Sequence, residues 1–332
     1  MPIYKYDDQS LQKAAELIKK GELVAFPTET VYGLGADGLN PIAVAKIFEK
    51  KNRPSFNPLI LHISDKSALK NYVFYEEPVI DKLIDKFWPG PLTLVLPKNE
   101  IVPDIVTSGN ETVAIRMPDN KIALKLIELS GCPIAAPSAN KFGHLSPTDA
   151  EHVEKSLGSD LFILDGGKCA VGLESTIIGY KNGAFSLLRP GGIPIEEIEK
   201  ITGALTIKDK EGISPESPGQ LPFHYSPEIP LYIINKSSMS DKNFLNSLKN
   251  KKAGLLLFKE SNSEIESILP SYSKKILSES GNMAEAAANL FKFLHDFEKE
   301  EVDLILTEPV EPSGLGLAIM DRLKRAAERY KI

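Results

Sequence analysis

Two α/β domains are what this sequence predicts, and three observations predict them. Short apolar runs of strand length alternate with helical periodicities, a proline-dense stretch interrupts the pattern after residue 205, and a cleaner strand–helix alternation resumes beyond it. Residues 1–205 are expected to form one α/β domain around a mixed sheet. Residues 206–229 read as a linker, and residues 230–332 as a smaller, doubly wound parallel sheet.

Each element has its own signal. Leu11, Ala14, Leu17 and Ile18 have helical spacing, with Gly21 as a C-terminal stop. Leu23–Phe26 reads as a buried strand. Asn40-Pro41 is an N-cap followed by proline at the first helical position, opening a helix that runs to about Lys51. Leu59–Ile63, Leu92–Leu96, Thr112–Met117, Pro133–Ala136, Leu161–Leu164, Thr176–Gly179 and Phe185–Leu188 are further strands. Thr148 with Glu151 has capping-box spacing for a helix between the last of these groups. Pro215, Pro218, Pro222, Pro227 and Pro230 exclude helix and central strand, so the chain there is extended. Gln220, Phe223, His224 and Tyr225 lie within that stretch, and such aromatics suit a linker lying on a surface. Beyond it, Leu231–Ile234, Ala253–Phe258, Lys275–Leu277 and Leu304–Leu306 alternate with helices near 241–250, 282–298 and 315–329.

The bulk composition excludes several classes. The chain has 332 residues, 42% hydrophobic and 25% charged, with a formal net charge of -6. A protein that lives by gripping nucleic acid carries a basic excess, which this one lacks. Cys132 and Cys169 are isolated, which fits a reduced compartment and gives no zinc pattern. Met1 to Ser10 has no apolar signal core, and no apolar run approaches bilayer length. The expectation is a cytoplasmic protein with no membrane association.

The chemistry is carried by polar groups at strand ends, where ligands of open α/β sheets bind. Gly33-Leu34-Gly35-Ala36-Asp37-Gly38 spells GxGxxG, but it neither follows a strand directly nor opens a helix, so these glycines are expected in a loop rather than at a dinucleotide. No GxxxxGK[ST] is present. Lys51 and Arg53, before Pro54 and Asn57-Pro58, suit a triphosphate, although a solvated basic helix end has the same composition. Arg116 sits in an apolar strand, where a charge needs an ion partner or a bound anion. His62 also falls inside a strand. Pro137-Ser138-Ala139-Asn140, Ser146-Pro147, Glu174-Ser175-Thr176 and Arg189-Pro190-Gly191-Gly192 supply small and polar groups after strands, fit for phosphate or carboxylate. The five histidines show no close metal-ligand spacing, and no nucleophile elbow is visible. Positioning and electrostatics are expected to do the chemistry.

The order of these pieces resembles the YrdC-like family: Phe26-Pro27-Thr28-Glu29-Thr30-Val31-Tyr32-Gly33-Leu34, Lys51-x-Arg53-Pro54 with Asn57-Pro58-Leu59, Pro137-Ser138-Ala139-Asn140, Glu174-Ser175-Thr176, then Arg189-Pro190-Gly191. The linker, with Ser217-Pro218-Gly219 and His224-Tyr225, and the C-terminal domain resemble the longer members, so the likeness spans the chain. It implies a YrdC-like twisted mixed-sheet domain plus a smaller Rossmann-like doubly wound domain. It also implies synthesis of L-threonylcarbamoyladenylate from L-threonine, bicarbonate and ATP, with Mg²⁺, the product passing to tRNA-modifying transferase machinery and with weak tRNA contact at most. By matching positions, Thr30, His62, Arg116, Ala136 and Ser175 would hold threonine. Lys51, Arg53, Asn57, Thr112, Ser138, Asn140, Ser146, Arg189 and Tyr225 would hold ATP, with Lys51 and Arg53 catalytic. The Lys-x-Arg spacer is Asn52, where the family commonly has glycine. Carbamoyl-phosphate-dependent adenylation and an RNA-binding regulator without turnover are the alternatives.

Overall fold

The computed structural model describes residues 3–207, 215, 217–219, 225–235, 238, 240–260 and 263–330. Gln220, Phe223 and His224 therefore lie outside the described residues. The chain divides into two compact units, Met1–Phe142 with Ser146–Leu221, and Pro222–Ile332 with Gly143–Leu145.

The first unit is built on a mixed sheet of eleven strands among the described residues. In chain order these are β1 (Ile3–Lys5), β2 (Val24–Phe26), β3 (Gly33–Asp37), β4 (Ile60–His62), β5 (Leu92–Pro97), β6 (Thr112–Arg116), β7 (Ile134–Ala135), β8 (Phe162–Asp165), β9 (Thr176–Lys181), β10 (Ala184–Arg189) and β11 (Thr206–Ile207). Across the sheet they lie β1-β8-β2-β3-β7-β4-β6-β5-β9-β10-β11. The apolar runs predicted as strands all appear there. One expectation is overturned: Gly33–Asp37 is a strand, antiparallel to β2, and not a loop. Its glycines serve packing. A Cβ on Gly35 would stand 2.7 Å from the Phe26 ring and 2.8 Å from Ile134, so only a hydrogen fits between them. Thr206 and Ile207, inside the predicted linker, extend the sheet beside β10.

Helix α1 (Asp8–Lys19) starts with a reciprocal cap: Ser10 N–H donates to the Asp7 carboxylate at 2.7 Å and Asp7 N–H to the Ser10 hydroxyl at 3.0 Å. It buries Leu11, Ala14, Ala15 and Ile18 beside α5 (Lys121–Ser130), over Val24, Phe26, Ile134 and Leu164 of the sheet. Helix α2 (Pro41–Lys51) begins as predicted, with the Asn40 side chain accepting from Ile42 and Ala43. Helices α3 (Pro78–Phe87), α4 (Asp104–Thr107), α6 (Ala150–Leu157) and α7 (Ile195–Thr202) complete the unit. Thr148 does not cap α6; Asp149 does, its carboxylate taking the His152 N–H at 3.0 Å. Asp149 sits one residue nearer the first turn, and its carboxylate is the stronger acceptor.

The second unit is a parallel sheet of four strands among the described residues, in the order β12 (Leu231–Ile233), β15 (Leu304–Thr307), β13 (Lys252–Leu257), β14 (Ser271–Ile276). Helices α8 (Lys242–Leu248), α9 (Ser263–Ile268), α10 (Met283–Lys299) and α11 (Leu315–Glu328) alternate with the strands, as a doubly wound fold requires. β14 begins four residues earlier than expected, because polar Ser271, Ser273 and Lys274 hide an edge strand from an apolar count. Phe297 of α10 presses on β13 so closely that a Cβ at Gly254 would lie 2.8 Å from its ring. Among the described residues no helix is long and apolar enough to cross a membrane.

Candidate active site

The central strands set the site. β4 and β6 run parallel with His62 opposite Arg116 at their C-terminal ends, so both side chains leave the same face. Arg116 is buried between polar groups. Its Nε donates to the Gly90 carbonyl at 3.2 Å, its Nη1 to the Thr30 hydroxyl at 3.0 Å, and its Nη2 lies 2.5 Å from the carboxylate of buried Glu29. Thr30 in turn shares a 2.8 Å hydrogen bond with Thr28, whose hydroxyl meets the Val31 carbonyl at 2.6 Å. The loop between β2 and β3 thus aims two polar groups at one guanidinium. Burial, and secondarily the Arg116 charge, pushes the His62 imidazole down to about 3. Neutral His62 places Nδ1 3.3 Å from the Ile134 carbonyl. A carbonyl only accepts, so Nδ1 carries the proton and Nε2 is left as an acceptor.

Ser175 joins this cluster through its hydroxyl, 2.7 Å from that of Thr93 on β5. Arg189 binds Ser175 three times, from Nε at 3.2 Å and Nη2 at 3.0 Å to its carbonyl and from Nη2 to its hydroxyl at 3.2 Å, and Nη1 reaches the Pro218 carbonyl at 3.4 Å. The bend is tight: a Cβ on Gly191 would meet the Glu174 carbonyl at 2.3 Å. Only glycine lets those backbones touch.

Lys51 and Arg53 leave the end of α2 through Asn52, which holds a left-handed φ of 51°. Asparagine tolerates that region, so it replaces glycine there without a change of loop. Lys51 is 1% exposed, and its ammonium donates to the carbonyls of Ser138 (2.6 Å) and Asn140. Burial, then the neighbouring Arg53, holds its pKa well below the usual lysine range. Arg53 donates to the carbonyls of Asn57 at 3.0 Å and Pro58 at 2.8 Å. The Asn57 side chain is fully buried, and among the described residues neither its amide nitrogen nor its oxygen has a hydrogen-bond partner. A buried amide so placed has the hydrogen-bonding capacity to take a polar ligand.

The segment after β7 supplies backbone groups unevenly. Ala136 N–H is committed to the Ile60 carbonyl at 2.9 Å and Ala139 N–H to Tyr32 at 2.8 Å, and Pro137 has none. Among the described residues the Ser138 N–H has no acceptor, so Ser138, and not Ala136, offers the anion donor of this turn. Ser146 donates its hydroxyl to the buried carboxylate of Glu174. Thr112 stands at the opposite end of β6 from Arg116, half-buried, on the same face and roughly 13 Å away along the strand. Tyr225 belongs to the second unit, its ring 5.8 Å from Phe291 and 4.7 Å from the Arg322 guanidinium. Next to it, Ser226 N–H donates to Gly143 at 2.9 Å.

The structure therefore joins Thr30 to Arg116 beside His62, ties Ser175 to Thr93 and Arg189, and joins Lys51 to Ser138 and Asn140 with Arg53 on Asn57. Glu29 and Glu174 are members that sequence reasoning passed over. Both stood inside motifs already marked, and a buried acid beside a strand-borne arginine was the available signal.

The model of the Sua5–YciO–YrdC family, described as "Telomere recombination", matches residues 16–191. The chain belongs to this family. A second model, "Threonylcarbamoyl-AMP synthase, C-terminal domain", matches residues 193–328. Threonylcarbamoyl-AMP synthase of Pyrococcus abyssi is 44% identical over 330 residues, covering 97% of this chain and 95% of that one. The Bacillus subtilis enzyme of the same name is 43% identical, covering 97% and 94%. The crystal structure of P. abyssi Sua5 complexed with L-threonine superposes with a TM-score of 0.88 at 41% identity, covering 98% of this chain and 96% of that one.

Proposed function

We infer that this chain joins L-threonine, bicarbonate and ATP into L-threonylcarbamoyladenylate, releasing pyrophosphate, and so supplies threonylcarbamoyladenosine formation in tRNA. The observation that carries the reading is near-full-length likeness to threonylcarbamoyl-AMP synthases, including a threonine complex of the same two-domain fold. The two polar clusters support it: one suits an amino acid and the other a polyphosphate.

Threonine would set its carboxylate on Arg116, which Thr30 helps to position, and its hydroxyl against Nε2 of neutral His62 and near Ser175. The Ala136 side chain would line the pocket. ATP would lie along the sheet face, phosphates on Lys51 and Arg53, with Asn57, Ser138, Asn140, Ser146, Arg189 and Thr112 holding the remainder. The threonine amine captures carbon dioxide from bicarbonate to give a carbamate. A carbamate oxygen attacks the α-phosphorus in line, forming the P–O bond as the bond to pyrophosphate breaks. The carbamate is already anionic, so no general base is needed at that step. Lys51 and Arg53 stabilise charge growing on pyrophosphate, Ser138 N–H steadies the carbamate, and fixing three reactants together supplies much of the rate.

Mg²⁺ would enter with the triphosphate. It usually takes one or two carboxylates besides substrate phosphates and water, and Glu174, bonded to Ser146 of the proposed ATP set, is a buried carboxylate that fits such an ion. Bound there, it would offset phosphate charge. The product would pass to tRNA-modifying transferase machinery in the cytoplasm.

The test is pyrophosphate release by purified protein with ATP, Mg²⁺ and bicarbonate, with and without L-threonine. Release that requires both threonine and bicarbonate is expected. Release indifferent to threonine overturns the reading, and carbamoyl phosphate and then tRNA become the ligands to try.

A further inference from the structure

We infer that Glu29 seats the α-ammonium of threonine and is the first acceptor of its proton; this deepens the proposed function and rests on it. Glu29 is 7% exposed, and its backbone is pinned, the carbonyl accepting the Val171 N–H at 2.7 Å. One carboxylate oxygen lies 2.5 Å from Arg116 Nη2, yet among the described residues neither oxygen accepts a hydrogen bond and that nitrogen donates none. A purely structural arginine–carboxylate pair closes as a two-pronged hydrogen-bonded fork. Here a single Coulombic contact leaves the carboxylate's acceptor positions open in a buried place, which is costly unless a donor arrives.

A zwitterionic amino acid fits that arrangement. Its anion and cation sit one carbon apart, and Arg116 and Glu29 offer the opposite charges side by side. The neighbouring side chains have other work. Nε2 of His62 takes the threonine hydroxyl in the proposed function, the Thr28 hydroxyl donates to Val31, and the Thr30 hydroxyl is shared between Arg116 and Thr28. The remaining buried carboxylate nearby, Glu174, already receives the Ser146 hydroxyl.

Carbamate formation needs a neutral amine, so the seat also places a base on the reacting nitrogen. The ammonium hands one proton to Glu29, which passes it to the hydroxyl of bicarbonate. That C–OH bond breaks, releasing water and carbon dioxide, and the nitrogen lone pair forms the C–N bond. The second N–H proton leaves to solvent. One threonine cation centre and one bicarbonate thus give one carbamate, one water and one proton.

The experiment compares L-threonine with its 2-hydroxy analogue, in which a hydroxyl replaces the ammonium, by calorimetry with a non-hydrolysable ATP analogue present. The unaltered protein should prefer threonine by at least about tenfold, the scale of a hydrogen bond to a charged group. Glu29→Gln should bring the two ligands within about threefold while binding the ATP analogue as before, and Glu29→Asp should retain the preference. Pyrophosphate release by Glu29→Gln should fall by roughly a hundredfold at neutral pH and recover partly as pH rises and solvent deprotonates the amine. A folded Glu29→Gln protein that keeps the threonine preference overturns the inference. So does unaltered protein that binds both ligands equally, which decides the matter if the variant does not fold. Failure of the underlying function would show separately, as unaltered protein without threonine-dependent turnover.

Discussion

His62 gives the prediction that the geometry quantifies best. Its imidazole is buried on β4 beside Arg116, and both circumstances disfavour the cation, taking it from 6.5 down to about 3. Unfolded, the same ring titrates at its ordinary value. Between those two values the unfolded chain binds a proton that the folded chain refuses. Stability is therefore fully present above 6.5 and lost as pH falls toward the folded value, at about 1.4 kcal/mol per pH unit. By pH 4.5 the loss from this one residue reaches about 3 kcal/mol. Threonine binding should meanwhile show no inflection from His62 across the neutral range, because the ring is the acceptor throughout.

The direct assay is the pH dependence of the five histidine Cε1–H resonances, with His62 identified by its disappearance in His62→Gln. Its shift should stay flat from pH 8 to pH 4.5. Urea melts at pH 7.5 and 4.5 should then show the variant losing about 3 kcal/mol less stability than the parent. A His62 midpoint near 6.5, or identical pH dependence in both proteins, refutes the claim that this ring is neutral in the folded site. The role of Nε2 as an acceptor for threonine would go with it.

Other perturbations read out neighbouring groups. Lys51→Met should lower kcat/KM for ATP by at least about a hundredfold while leaving threonine affinity within about threefold, measured by pyrophosphate release and calorimetry. Because burial depresses the Lys51 pKa, ATP binding should draw a proton onto it, and affinity should fall as pH rises; enthalpies in two buffers of different ionisation heat count that proton. Arg53→Ala should nearly abolish turnover, and near-parental pyrophosphate release would remove it from the site. Gly191→Ala forces a methyl against the Glu174 carbonyl, so a stability loss of about 1–3 kcal/mol and impaired threonine binding are expected in melts and titrations. Serine should support slower release than threonine, the missing methyl being worth about 1–3 kcal/mol.

Much of this molecule was legible in the sequence, and the exceptions have physical causes. Asn40-Pro41 marked the start of α2 because a cap and a fixed φ are local properties. Strands β4, β5 and β6 were legible because burial on both faces makes them continuously apolar. Gly33–Asp37 was not, since three small residues carry no strand propensity and pair only because Phe26 and Ile134 leave no room for side chains. Helices α3 and α5 carry signals that went unused: Pro78 at a first position, Asn120 as a cap and Gly131 as a stop. In the site, the motifs are local and were legible, but the partners of their side chains are tertiary. No spacing connects Glu29 to Arg116, which meet because the β2–β3 loop reaches across to the end of β6.

Those partners separate the two seats. In the nucleotide cluster Lys51 and Arg53 are stabilised by backbone carbonyls. A carbonyl dipole makes a buried cation tolerable without cancelling its charge, so these carbonyl contacts leave the positive charge available to the triphosphate we propose. A carboxylate partner would have made the same cations cheaper to bury and useless for phosphate. In the amino-acid cluster Arg116 has the opposite arrangement, a carboxylate beside it. That pair is close to neutral overall, which would weaken a simple anion but matches a ligand carrying both charges. The choice of counter-group, carbonyl or carboxylate, thus sorts the polyphosphate from the amino acid before any finer contact is made.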